Sequence, residues 1–106
     1  AGRKGTQSIA ASTYRAAAVA KIKQHWRLPD SRTWDLNLFA NVVITVDRNG
    51  GLINVQFDRR SGDAQFDKLV EQAIQKSLPL PPFPAVMTED STEVPCNFNV
   101  RELGKM

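Results

Sequence analysis

Residues 40–47 alternate without a fault. Ala40, Val42, Ile44 and Val46 fall on one side, Asn41, Val43, Thr45 and Asp47 on the other. A period of two is the mark of a strand with one face on a core. Arg48-Asn49-Gly50-Gly51 follows, and an Asn-Gly pair suits the positive φ angles of a tight hairpin turn. The alternation then resumes, with Ile53, Val55 and Phe57 expected inward and Leu52, Asn54, Gln56 and Asp58 outward. An isolated hairpin is marginal in water. The rest of the chain must therefore cover its apolar face.

Two helical segments can do so. The first is expected to be capped by Ser8 or Ser12 and to run to about Trp26. Its stripe is Ala11, Tyr14, Ala18, Val19, Ile22 and Trp26, at the spacing of one helix face. Arg15 falls on that stripe and must snorkel or find a carboxylate. Pro29 stops the helix, because the residue before a proline is pushed out of the α region. Trp26 should pack over the sheet with Phe57 and Phe66, while Trp34 lies in a polar connection. The second helix starts after Ser61-Gly62-Asp63, with Asp63 as its cap. It presents Phe66, Leu69, Val70, Ala73, Ile74, Ser77 and Leu78 on one face. Pro79 ends it, and Leu80-Pro81-Pro82-Phe83-Pro84 runs on extended as a stiff connector that lays Phe83 on the domain. A last strand spans Thr92 to about Val100, with Val94, Cys96, Phe98 and Val100 inward and Pro95, Asn97, Asn99 and Arg101 outward.

The order is α-β-β-α-β. This predicts an α+β fold, a three-stranded antiparallel sheet with two helices packed on one face. With 106 residues, one core and one domain fit. Residues 1–8 carry no apolar side chain larger than alanine and read as the flexible end of a linker, leaving 9–106 as the domain. The chain begins with Ala and reads as a piece of something longer. No apolar run approaches the roughly 20 residues needed to cross a bilayer.

The residues speak against catalysis. One cysteine excludes an internal disulfide and a multi-thiolate zinc site. Cys96 lies on an inward face, where a thiol behaves as a small hydrophobe. His25, the single imidazole, sits at the edge of the first helix's stripe with no nucleophile or orienting acid nominated beside it. The glycines at 50, 51 and 62 are turn glycines without the spacing or lysine of a phosphate loop. The expectation is no enzyme, no metal and no cofactor.

Charge is uneven. Residues 1–33 hold seven Lys/Arg (Arg3, Lys4, Arg15, Lys21, Lys23, Arg27, Arg32) against one acid, Asp30. A basic front end could meet nucleic acid, an anionic surface or an acidic partner. Sheet readers of RNA stack bases on exposed aromatics. The outward positions Val43, Thr45, Leu52, Asn54, Gln56, Asp58, Asn97 and Asn99 offer neither rings nor cations. A small nucleic-acid-binding domain is therefore the alternative from another class, and no nucleic acid is expected. An open sheet edge is the positive feature, because such an edge is either protected or used for strand addition.

Set in order, the motifs match a family. Tyr14, Ile22 and Trp26-Arg27-Leu28-Pro29 resemble the opening of the TonB/TolA C-terminal domain family. Val42 to Gly50 is similar to its first strand and hairpin turn. Arg60-Ser61-Gly62-Asp63 with Phe66-Asp67 is similar to its entry into the second helix. Ala73 to Pro84 resembles its proline signature, and Val94 to Phe98 its closing strand. The resemblance spans Tyr14 to Phe98. It implies a non-catalytic periplasmic domain at the end of an inner-membrane protein. That protein's N-terminal membrane helix, absent from this stretch, meets motor subunits driven by the proton gradient. It also implies docking to a periplasmic or outer-membrane protein. The opening helix and proline signature side with TolA-like members and Tol-Pal envelope integrity; the alternative is TonB-type energising of nutrient receptors. Colicins and filamentous phage exploit both systems.

The implied sheet order puts the first strand in the centre and the last at an edge where partner segments add. The partner-binding residues are then Val94, Pro95, Asn97, Asn99 and Arg101. Pro95 has no N–H and is tolerated where that donor has no ladder partner. Backbone groups of successive residues point to alternate edges. Asn97 and Asn99 should therefore face the open edge, and Cys96 and Phe98 the central strand.

Overall fold

The computed structural model of the protein describes residues 2–103. Helix α1 spans Gly2–Lys23, strand β1 Phe39–Asp47, strand β2 Leu52–Arg59, helix α2 Ala64–Lys76 and strand β3 Ser91–Asn99, followed by a 3-10 turn at Arg101–Leu103. The fold is α+β in the order α-β-β-α-β. The sheet is antiparallel with order β2-β1-β3, so the strand with the most regular alternation occupies the centre.

The core lies between the sheet and the two helices. From β1 it takes Ala40, Val42, Ile44 and Val46, from β3 Val94, Cys96 and Phe98, and from the helices Tyr14, Ala18, Ile22, Phe66, Val70, Ala73 and Ile74. Burial along β1 alternates without interruption, as the sequence period requires.

Trp26 is 2% exposed. Its ring meets Phe66 and Phe98 edge-on at 5.2 and 5.1 Å. The expected partner Phe57 is replaced by Phe98, because the helix stripe delivers Trp26 to the β3 side of the sheet and Phe57 lies on β2. The helix itself begins at Gly2, ahead of both Ser8 and Ser12; no proline interrupts that stretch, and alanines recur from Ala10 to Ala20, the best helix former. Its last turn tightens, with Trp26 N–H donating to Lys23 O at 3.1 Å and His25 N–H to Ile22 O at 3.0 Å.

Strand β2 departs from the sequence pattern. Thr45 pairs with Asn54 but Val46 with Leu52, and Asn41 pairs with Arg59 but Val42 with Phe57. Ile53 and Asp58 are thus extra residues, each a bulge that leaves one side chain unpaired and bends the strand. Beyond the first bulge the phase inverts. Leu52 turns toward the core side, and Ile53, expected inward, is 57% exposed.

Asp63 caps α2, its Oδ1 accepting from Gln65 and Phe66 N–H at 3.0 and 3.1 Å, which satisfies two of the orphan donors of a helix start. The buried Asp67 carboxylate accepts from Ser61 N–H at 3.0 Å and fixes the loop entering the helix. The proline segment is laid back on the hairpin turn. Leu80 N–H donates to Gly50 O at 3.0 Å and Phe83 N–H to Arg48 O at 2.9 Å. Gly50 has φ +89°, and a Cβ there would stand 1.9 Å from Leu80 O; the turn needs glycine for both reasons. Tyr14 clamps the segment, its hydroxyl donating to Pro81 O at 2.7 Å and its ring meeting Phe83 edge-on at 4.9 Å. The connector reading of this segment holds.

Candidate functional site

Two of the three strands have an open edge, and they differ. β3 pairs with β1 over nine consecutive residues, Phe39↔Asn99 to Asp47↔Ser91, with no shift. The Val100 N–H donates to Leu38 O at 3.3 Å. In an antiparallel ladder every second residue faces the partner, so Phe98, Cys96 and Val94 share that orientation. Glu93, Pro95, Asn97 and Asn99 turn their main-chain groups outward. Pro95 thus sits where a missing N–H costs no ladder bond.

The five residues nominated from sequence are distributed along this edge. Val94 is fully buried and its main chain faces β1; it supports the strand from inside. Pro95 and Asn97 are exposed at the open edge. Asn99 is half-buried, and its main chain is engaged. Its N–H donates to Glu102 Oε2 at 2.9 Å and its carbonyl accepts from Trp26 Nε1 at 3.3 Å. Arg101 has left the strand for the 3-10 turn and donates to Asn37 Oδ1 at 3.2 Å.

Lys23, Trp26 and Glu102 were not singled out for the edge, yet they line it. Lys23 Nζ donates to Asn97 O at 2.6 Å and pairs with Glu102 Oε1. Lys23 lies more than seventy positions from both Asn97 and Glu102 in sequence, and no local pattern joins it to them. The one available signal was helical spacing: Lys23 flanks the stripe that ends in Trp26.

The sheet face away from the helices carries a ladder of asparagines. Asn97 Nδ2 donates to Asn41 Oδ1 at 2.7 Å, and Asn99 Nδ2 to Asn97 Oδ1 at 2.7 Å. At its corner stands Phe39, which begins β1 one residue earlier than expected and alternates onto this face. The Arg59 guanidinium covers its ring at 4.9 Å. That face therefore holds one ring and one cation that the alternation from Ala40 did not include.

Cys96 is 5% exposed, and burial pushes its thiol up to about 11, against the lowering effect of the Lys23 charge. A thiol so held is a packing group at neutral pH. The Asp63 carboxylate is held below its usual range, by the Phe66 N–H first and by Arg32 second; its Oδ2 meets Arg32 Nη2 at 2.9 Å. These two perturbed groups serve core and cap.

An open edge strand, flanked by a helix and braced by a polar ladder, is left available for pairing with an added segment. The family model described as TonB C terminal matches residues 11–98. The chain belongs to that family, whose domains are interaction modules. The fold also matches a solution NMR structure of TolAIII bound to a peptide derived from the N-terminus of TolB, with a TM-score of 0.56 and 20% identity. That match covers 81% of this chain and 71% of the other. No curated protein matches the chain. Among the described residues, no helix is long and apolar enough to cross a membrane.

Proposed function

We propose that this domain is the periplasmic docking end of an inner-membrane-anchored TolA/TonB-like protein. It holds a periplasmic or outer-membrane partner by strand addition at β3 and transmits force from a proton-driven motor. The observation that carries this reading is the edge itself. β3 is straight and unbulged, and its outward Glu93, Pro95 and Asn97 groups are uncovered by any other strand. Main-chain bonds along such an edge supply affinity, and side chains supply choice. The likeness of its fold to a peptide-bound TolAIII supports a Tol-Pal role. The family description keeps TonB-type receptor uptake as the second reading.

The test is an NMR titration of the labelled domain with two peptides, the N-terminus of TolB and the plug-side segment of a nutrient receptor, both from the organism that supplies the protein. Slowed exchange of the Asn97 amide with the TolB peptide is expected. Asn99 should be protected already in the free domain, through Glu102. Response to the receptor segment alone moves the assignment to TonB. Protection of the Asn97 amide in the free monomer refutes edge docking at β3.

A further inference from the structure

The far end of the β3 edge is not open in the way its start is. Three outward main-chain groups there are occupied by side chains: Asn97 O by Lys23, Asn99 N–H by Glu102 and Asn99 O by Trp26. Lys23 Nζ and the Asn99 N–H converge on one carboxylate, with Glu102 Oε1 on the ammonium and Oε2 on the amide. A cationic amine beside an outward amide is a two-donor seat for a carboxylate.

Its present occupant sits on a short turn. Glu102 belongs to a three-residue 3-10 turn with no buried residue. The turn is held by the Glu102 N–H to Asn99 Oδ1 at 2.8 Å, the Leu103 N–H to Val100 O at 3.0 Å, Arg101 Nη2 to Asn37 Oδ1 at 3.2 Å and Leu103 packed against the core. Lys23 and Glu102 side chains are 26% and 24% exposed, so the seat is half withdrawn from water and still reachable. A strand pairing along β3 as far as Asn99 needs the amide that Glu102 holds. It must displace that carboxylate, and Lys23 then loses its counter-charge. The opposite end carries Glu89 and Asp90 just before β3 and Glu93 within it, with Arg48 paired to Asp90 at 2.7 Å and Arg15 beside Glu89 and Glu93. Among the described residues, the Asn99 end is where a cation and an outward β3 amide already share one carboxylate.

We propose that Lys23 and the Asn99 amide form a carboxylate receptor, filled in cis by Glu102 and in trans by an acidic residue of the docking strand. The inference rests on the β3 docking reading and adds the partner's chemistry. The partner is an extended segment with an Asp or Glu at the end that reaches Asn99. The cis carboxylate makes the unliganded edge self-capped, and the two-donor seat at the Asn99 end sets the direction of the added strand.

The experiment uses synthetic eight-residue strand peptides of one sequence, carrying Glu or Gln at either end, titrated by NMR into the wild type, Glu102→Gln and Lys23→Gln. The wild type should bind a Glu-ended peptide about fivefold more tightly than its Gln counterpart, the scale of a charge-assisted contact at a partly exposed site. That preference should shrink with added salt. Glu102→Gln, which removes the competitor's charge, should bind the Glu peptide more tightly than the wild type does. Lys23→Gln should erase the Glu-over-Gln difference. A second probe is acetate, which should shift the Asn99 amide in Glu102→Gln and not in the wild type. Equal binding of Glu and Gln peptides overturns the receptor and leaves β3 docking intact. Failure of every peptide to bind the folded variants overturns both.

Discussion

The two outer strands are built from similar residues and do opposite things. β3 keeps one register over nine pairs and buries Val94, Cys96 and Phe98. β2 changes register twice, at Ile53 and Asp58, and has no fully buried residue. Bulges twist an edge and spoil it as a template, a common protection against unwanted pairing. On β2 the edge is spoiled by backbone irregularity. On β3 the backbone stays regular, and side chains cover only the Asn97 carbonyl and the Asn99 main chain. A domain with one blunted and one clean edge offers a template for strand pairing on one side only.

The largest expected difference between the sides is in packing. Trp26→Ala should cost about 3–5 kcal/mol, as large aromatic truncations in cores do. Phe57→Ala should cost about 1–2 kcal/mol, because a half-buried ring removes less surface from water. Denaturant titration of both variants measures this. A more harmful Phe57→Ala would place the centre of the core on the β2 side.

The strand in the middle was legible because burial on one face leaves a mark at every second residue. Ala40 to Asp47 carries that mark, and Asn49-Gly50 names its turn. Asp63 was legible as a cap, since a carboxylate three residues before an apolar helix position has one obvious use. The bulges were not legible. Ile53 is apolar and in phase with Val55, so the sequence alternates smoothly through a site where the backbone does not. The edge's start at Pro95 was readable from a missing donor. Its end at Asn99 was hidden, because Lys23 and Glu102 meet only after α1 has packed beside β3.

A second, smaller effect depends on pH. Arg32 ties Asp63, at the entry to α2 beyond β2, to the connection that follows α1, and stacks on Trp34 at 4.0 Å. The Asp63 pKa is lowered in the folded state, from 3.8. Its contribution is therefore fully present above about pH 4 and is lost as pH falls through the folded value. Asp63→Asn keeps a capping oxygen and removes the charge. Acid titration should show the wild type losing an increment of stability below pH 4 that the variant lacks. Parallel acid curves for the two proteins would remove Asp63 from the pH response.

The smallest effect discriminates best between the strands, because it sets the sequence pattern against the backbone. By alternation Ile53 and Val94 are equivalent, each an aliphatic residue on an inward position. In the structure Val94 is fully buried and Ile53 is 57% exposed. Val94→Thr puts a hydroxyl among Ile44 and its neighbours, and a hydroxyl buried without a partner costs about 1–3 kcal/mol. Ile53→Thr exchanges one exposed β-branched residue for another, and surface changes of this kind stay within about 0.5 kcal/mol. The two variants should therefore separate clearly in a denaturation midpoint at unchanged slope. A loss at Ile53 as large as that at Val94 would mean that β2 runs in register through Leu52. The edge of β2 would then be as regular as that of β3, and the bulge would no longer distinguish the two edges.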